Sequence, residues 1–138
     1  KKFNDHYGHV AGDDCLKALS RAMAEVISRG TDLIARYGGE EFVCILSSTG
    51  LEGATNVAER LKTAVSALAI PHARSETKPI VSISLGVATA RPGISELLPA
   101  SLLNTADQQL YLAKNEGRDK VRFAGCFPAH HSTKDLFL

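Results

Sequence analysis

The sequence predicts a mixed α/β (α+β) domain in which a central, mainly antiparallel sheet is flanked by helices. Three observations lead there. The pair Gly38-Gly39 separates two apolar runs, 33–37 and 42–46, as the turn of a hairpin does. Val81, Ile83, Leu85 and Val87 alternate with Ser82, Ser84, Gly86 and Ala88, the period-two pattern of a strand with large residues on one face and small ones on the other. Three further segments place apolar residues on one side only at helical spacing, so each needs a sheet or a neighbouring helix to cover it. A length of 138 residues fits one domain, read here as residues 1–124 followed by a C-terminal tail, 125–138.

The elements follow in order. Residues 4–12 are polar with Gly8 and Gly12, read as a short helix leading into a turn. Asp13 or Asp14 can cap the next helix, which runs to about Ser28 with Leu16, Leu19, Met23, Val26 and Ile27 inward; Gly30 stops it. The hairpin spans 32–46, its tight turn drawing on glycine's tolerance of positive φ. Residues 47–50 form a loop with helix-cap chemistry. Val57, Leu61, Val65 and Leu68 mark a helix ending near Pro71, and 72–78 is a polar loop. The strand at 81–88 ends at Pro92-Gly93. A helix over 101–115 turns Leu102, Leu103, Ala106, Leu110 and Ala113 inward and stops at Gly117. Residues 120–124 can make a last short strand. Four strands make a thin sheet for these helices, and a strand N-terminal to them is expected.

Composition narrows the function. Hydrophobic residues are 44% and charged residues 22% of the chain, with a net charge of +1. No general positive field exists to hold nucleic acid or an anionic membrane, so any phosphate must be held by a few placed cations. No apolar run in these residues reaches the length of a membrane span, and none has the signal-peptide pattern. Cys15, Cys44 and Cys126 are odd in number and lack CxxC spacing, which points to reduced thiols in a cytoplasmic setting; Cys44, in an apolar strand, reads as core. There is no GxxxxGK[ST], so a P-loop hydrolase lacks its phosphate cradle. Cys126 with His130 and His131 offers zinc-type ligands without the usual paired spacing.

The chemistry concentrates at Gly38-Gly39-Glu40-Glu41-Phe42. Two carboxylates at a glycine turn are hard oxygen donors of the kind Mg²⁺ prefers, and the glycines let a ligand approach the backbone. An ordinary hairpin with solvated glutamates would look the same from these five residues.

Together with Arg36-Tyr37 before it, this stretch resembles the signature of the GGDEF family, the bacterial diguanylate cyclases. Three other segments match in the same order: residues 4–9 with Ala11-Gly12-Asp13, then 82–87, then Ala106-Asp107 through Tyr111, Ala113-Lys114 and Gly117-Arg118. The resemblance covers residues 1 to about 124. It implies a fold like the nucleotide cyclases and the polymerase palm, and an enzyme that condenses two GTP into cyclic di-GMP, releasing two pyrophosphates. It implies Mg²⁺ (or Mn²⁺) as cofactor, with Glu40 a metal ligand and proton acceptor and Glu41 a second acid near the metal. Gly38 and Gly39 would run against the nucleotide. Asn4 and Asp13 match positions that hydrogen-bond the guanine edge, although Asp13 has the alternative of a helix cap. His9 matches a position near base or ribose. Lys114, Arg118 and Lys1 match cations around the phosphates; the first two sit at a helix C-terminus, where cations are favoured in any case. Arg29 and Asp32 have the spacing of the family's RxxD inhibitory site and Arg60 matches its further arginine, an arrangement suited to binding the product.

The family also carries an aspartate on a first strand, a few residues before the position of Lys1. A polypeptide starting at Lys1 is therefore expected not to assemble the full metal site. The resemblance further implies catalysis by a homodimer, since each subunit brings one GTP, and control by an upstream sensor or receiver domain. The expected location is the cytoplasm, with membrane tethering open for the full-length protein. The alternative function is a receptor module that binds cyclic di-GMP or GTP without turnover.

Overall fold

The computed structural model describes residues 1–91 and 98–125. The Pro92-Gly93 strand stop and the tail from Cys126 onward, with His130 and His131, lie outside the described residues. The elements are α1 (Lys2–Tyr7), α2 (His9–Val26), β1 (Leu33–Gly38), β2 (Glu41–Ile45), α3 (Leu51–Ala67), β3 (Leu85–Ala88), α4 (Pro99–Asn115) and β4 (Val121–Ala124), the order expected.

The first turn is tighter than its two glycines suggest. Gly8 alone breaks the chain, at φ 85° and ψ 165°, and α2 starts at the next residue. Asp13 and Asp14 therefore lie inside α2 and cap nothing; the N-cap is Gly8. Gly12 is also helical and buried. Its missing Cβ makes room for the Asn4 side chain, whose Oδ1 would stand 1.8 Å from a methyl group there.

The hairpin also departs from a simple Gly-Gly turn. Leu33 pairs with Ile45 and Arg36 with Phe42, but the register slips at Tyr37 so that Gly38 pairs with Glu41. The central turn residues are thus Gly39 and Glu40, and of these only Gly39 takes positive φ, 52°. An extra residue of this kind bends a strand and increases its twist. It moves Glu40 to the tip and makes Glu41 the first residue of β2.

β1 and β2 form an antiparallel ladder, whereas β3 and β4 pair parallel, Leu85 with Val121 through Ala88 with Ala124. Parallel neighbours need a crossover, and α4 supplies it. The alternation over 81–88 reads as one strand, yet the ladder engages only Leu85–Ala88; Val81 instead donates its N–H to the Ile70 carbonyl at 2.8 Å.

The core lies where α2 meets α3. Leu19 and Met23 from one, Leu61 and Val65 from the other, are buried, and Ile34, Phe42, Cys44, Val81, Ile83 and Leu85 pack on them from the strand side. Fully burying a side chain of this size contributes about 1.5–3 kcal/mol. Burial pushes the Cys44 thiol up to about 11 and raises Cys15 as well, as expected for core cysteines. Two residues expected inward are exposed. Leu68 lies beyond the end of α3, before a left-handed Ala69, and Leu103 sits off the stripe of α4 that ends in the fully buried Ala113. Among the described residues, no helix is long and apolar enough to cross a membrane.

Candidate active site

The hairpin tip, the start of α1, the first half of α2 and the end of α4 meet at one place. Arg36 holds the tip: its Nε donates to the Gly39 carbonyl at 2.8 Å. Glu40 is at the tip with its side chain 78% exposed, and the Lys1 main-chain nitrogen lies 3.6 Å from its Oε2. Glu41 Oε1 lies 3.7 Å from Lys114 Nζ, joining β2 to the last turn of α4. On α2, Asp13 accepts a 2.8 Å contact from Lys17 Nζ one helical turn on. That partner, and more weakly the charge of Arg36, holds the Asp13 carboxyl below its ordinary range. Asn4 lies over Gly12, one residue before Asp13. His9 opens α2 and is exposed.

Arg118 sits in a turn of unusual backbone. Gly117, Arg118 and Asp119 all have positive φ, at 102°, 62° and 49°. Left-handed non-glycine residues cost of order 1–3 kcal/mol each and persist where surroundings over-determine them. Here the Arg118 N–H donates to the Ala113 carbonyl at 2.9 Å, the Asp119 N–H donates to Ser84 Oγ at 3.2 Å, and Lys78 Nζ meets Asp119 Oδ2 at 2.6 Å. The turn projects Arg118 at a fixed place beside the end of α4.

The donor set suits a hard divalent ion in kind. Glu40 and Glu41 are adjacent carboxylates at an open tip, and Mg²⁺ is commonly held by one or two carboxylates together with substrate phosphates rather than by an all-protein cage. Among the described residues, no group of three or more His, Cys, Asp or Glu gathers to hold a metal. Glu40 and Glu41 fit the substrate-completed arrangement and not a closed protein cage.

The second predicted cluster is elsewhere, at the open end of the hairpin. β1 is six residues long, which at about 3.3 Å per residue puts roughly 20 Å between Asp32 and the tip. Arg29 Nε lies 3.8 Å from Asp32 Oδ2, and its guanidinium also donates to Thr49 Oγ1 at 3.3 Å. The Asp32 side chain is only 4% exposed and accepts from the Ser47 N–H at 3.1 Å, so it ties the two ends of the hairpin together. Arg60 is exposed on α3 and makes no ion pair or side-chain hydrogen bond among the described residues.

The model of the family described as diguanylate cyclase, GGDEF domain, matches residues 1–120. The chain belongs to the GGDEF domain family. It is 42% identical over 122 residues to the response regulator PleD of Caulobacter vibrioides, covering 88% of this chain and 26% of PleD. The chain thus spans about a quarter of that relative's length. Among solved structures, the coiled coil and GGDEF domain of DgcB from Caulobacter crescentus, crystallised with c-di-GMP, superposes with a TM-score of 0.74 at 29% identity, covering 88% of this chain and 62% of that one. The active GGEEF domain of a diguanylate cyclase from Vibrio cholerae gives 0.71 at 30% identity, covering 88% and 73%. The mixed α/β arrangement described above is thus the palm-like cyclase fold of GGDEF domains.

One residue of this GGDEF domain gains a role that its sequence position did not reveal. Arg36 was legible only as part of the signature; the structure makes it the clamp of the tip. A cation three residues ahead of a turn carbonyl was the available signal.

Proposed function

We propose that this GGDEF domain is the catalytic part of a diguanylate cyclase that condenses two GTP into cyclic di-GMP and releases two pyrophosphates. The observation that carries the reading is the meeting of an intact glutamate tip, the Glu41–Lys114 contact and the Asn4/Asp13 pair at one face. Asn4 and Asp13 offer acceptors to guanine N1–H and N2–H₂. Gly38 and Gly39 leave the backbone open to the nucleotide. Lys1, Lys114 and Arg118 supply positive charge for the phosphates, and His9 serves the base or ribose.

In each half-reaction the 3′-oxygen of one GTP bonds to the α-phosphorus of the other. The bond from that phosphorus to the bridging oxygen breaks, and pyrophosphate leaves. Glu40 takes the hydroxyl proton. Such transfers need positioning and charge neutralisation more than covalent help. Glu40 and Glu41 would hold Mg²⁺ or Mn²⁺, which when bound neutralises developing charge on the attacking and leaving oxygens. Because each domain binds one GTP, the working unit is a homodimer. Its assembly is set by an upstream sensor or receiver domain of the full protein, in keeping with the name of PleD as a response regulator, and the reaction is cytoplasmic.

Arg29, Asp32 and Arg60 form the proposed inhibitory site for the product. Arg29 and Arg60 are exposed and available to phosphate or a guanine edge, while Asp32 orients Arg29. The full-length protein with GTP and Mg²⁺ will form cyclic di-GMP, detected by mass spectrometry, with a rate that stalls early. Arg29→Ala will relieve the stall. Absence of product at high protein concentration, with cyclic di-GMP still bound, would replace the enzyme reading by the receptor one.

The buried Gly12 gives a second expectation. In Gly12→Ala the new methyl must displace the Asn4 amide, a side-chain adjustment rather than a backbone one. KM for GTP will rise roughly tenfold, the scale of one lost hydrogen bond to a nucleobase, while the melting temperature changes little. A melting point lowered by many degrees with KM unchanged would show that Gly12 serves packing alone.

A further inference from the structure

The loop 72–78 is fixed between α1 and the turn that carries Arg118. At its base, Pro71 bridges Ile80 and the His72 N–H donates to the Pro79 carbonyl at 2.8 Å. On the α1 side the Ala73 N–H donates to Tyr7 Oη at 3.1 Å, and the Phe3 and His72 rings meet edge-on with centroids 5.3 Å apart. On the other side Lys78 binds Asp119, next to Arg118. Glu76 pairs with Lys2. That hydrogen bond, and more weakly the charge of Arg118, holds the Glu76 carboxyl below its ordinary range. Between α1 and the loop opens a cleft of about 430 Å³ lined by Lys2, Asp5, His6, Arg74 and Glu76.

The loop thus brings its charges to the phosphate end of the site described above. Lys2 follows Lys1, and Arg118 acts on Glu76. Arg74 makes no ion pair among the described residues. Asp5 and Glu76 oppose an anion in the cleft, but the Lys2–Glu76 pair is exposed on both sides, 58% and 69%, and such pairs are weak and exchange readily. A multiply charged phosphate competes with one carboxylate for Lys2 on favourable terms.

We propose that Lys2 and Arg74, across this cleft, extend the cationic end of the site beyond Arg118 and reach the terminal phosphates of the nucleotide, with Glu76 as the carboxylate those phosphates displace from Lys2. The proposal rests on the cyclase reading for the identity of the nucleotide. It assigns Lys2, Arg74 and Glu76 a part that none of the signature segments contains. Glu76 occupies Lys2 while the site waits for substrate, and takes it back when pyrophosphate leaves.

The two loop residues therefore have opposite signs, which misfolding cannot imitate. The test uses the full-length protein. KM and kcat for GTP are measured separately, and inorganic pyrophosphate is titrated calorimetrically. Arg74→Ala will raise both the KM for GTP and the Kd for pyrophosphate by roughly tenfold, the lower end for a hydrogen bond to a charged group. Glu76→Gln will lower both by about two- to threefold, the scale of an exposed ion pair. Constants unchanged in either variant, or shifted in the same direction in both, would overturn the proposal. Should the wild-type protein make no cyclic di-GMP, the cyclase reading fails, and the pyrophosphate titration still decides the cleft.

Discussion

Replacing Glu40 by glutamine in the full-length protein will lower cyclic di-GMP formation by at least about 100-fold, since even residues that only support metal ligands cost about 10–100-fold when changed. The register slip at Tyr37 and the positive φ of Gly39 carry Glu40 to the tip, and Arg36 fixes that tip through the Gly39 carbonyl. Glutamine preserves size and one acceptor oxygen but removes the charge that holds a divalent ion and the basicity that accepts a proton. The Glu40 side chain is 78% exposed, so the substitution touches no packing and the melting curve will be unchanged. Binding of cyclic di-GMP will also be unchanged, because the Arg29 cluster lies at the far end of β1. A variant that retains turnover within tenfold would remove Glu40 from the chemistry. One that loses turnover and product binding together would mean that the two clusters are not separate sites.

The elements were legible because their patterns are local. Helical spacing at Leu19, Met23, Leu61 and Val65 selected the residues that became the core, and alternation at 81–88 located the strand against α4. What was not legible depended on contacts between distant segments. Asp13 looked like a helix cap because its residue type favours caps, yet the N-cap is Gly8, five residues earlier, and Asp13 pairs with Lys17 instead. Gly38 and Gly39 together looked like the positive-φ turn, but with the bulge at Tyr37 Gly38 stays in β1 and only Gly39 of the pair takes positive φ. The parallel pairing of β3 with β4 follows from the path of α4, which no strand pattern encodes. The site divides similarly. Glu40, Glu41, Asn4 and Asp13 were singled out through segments that resemble a known family, whereas the contacts of Arg36 and of the 72–78 loop are with a carbonyl three residues away and with α1, more than sixty residues away in the chain.

Gly86→Ala will produce the largest loss of stability of any single methyl addition considered for this domain, about 3 kcal/mol, the upper range for overpacking. The small face of the strand, Ser82, Ser84, Gly86 and Ala88, already suggested a close neighbour. That neighbour is α4, and the approach is backbone to backbone. A Cβ on Gly86 would stand 2.0 Å from the Ala106 carbonyl oxygen, 2.3 Å from the Leu110 nitrogen and 3.0 Å from the Leu110 Cα. None of these atoms can rotate away, unlike the Asn4 amide opposite Gly12. The helix must lift from β3, and doing so uncovers the fully buried Ala113 and strains the turn at Arg118. Hydrogen exchange reads this locally: amides of β3, β4 and the second half of α4 will lose protection, while those of α2 and the hairpin keep theirs. The same movement displaces Lys114 from Glu41 and Arg118 from the phosphate end, so activity will fall with protection. Protection of α4 equal to that of the wild type in Gly86→Ala would mean that the helix sits farther from the strand than this structure places it, and that the cations at its end are held by the turn at 117–119 rather than by the packing of α4 on β3.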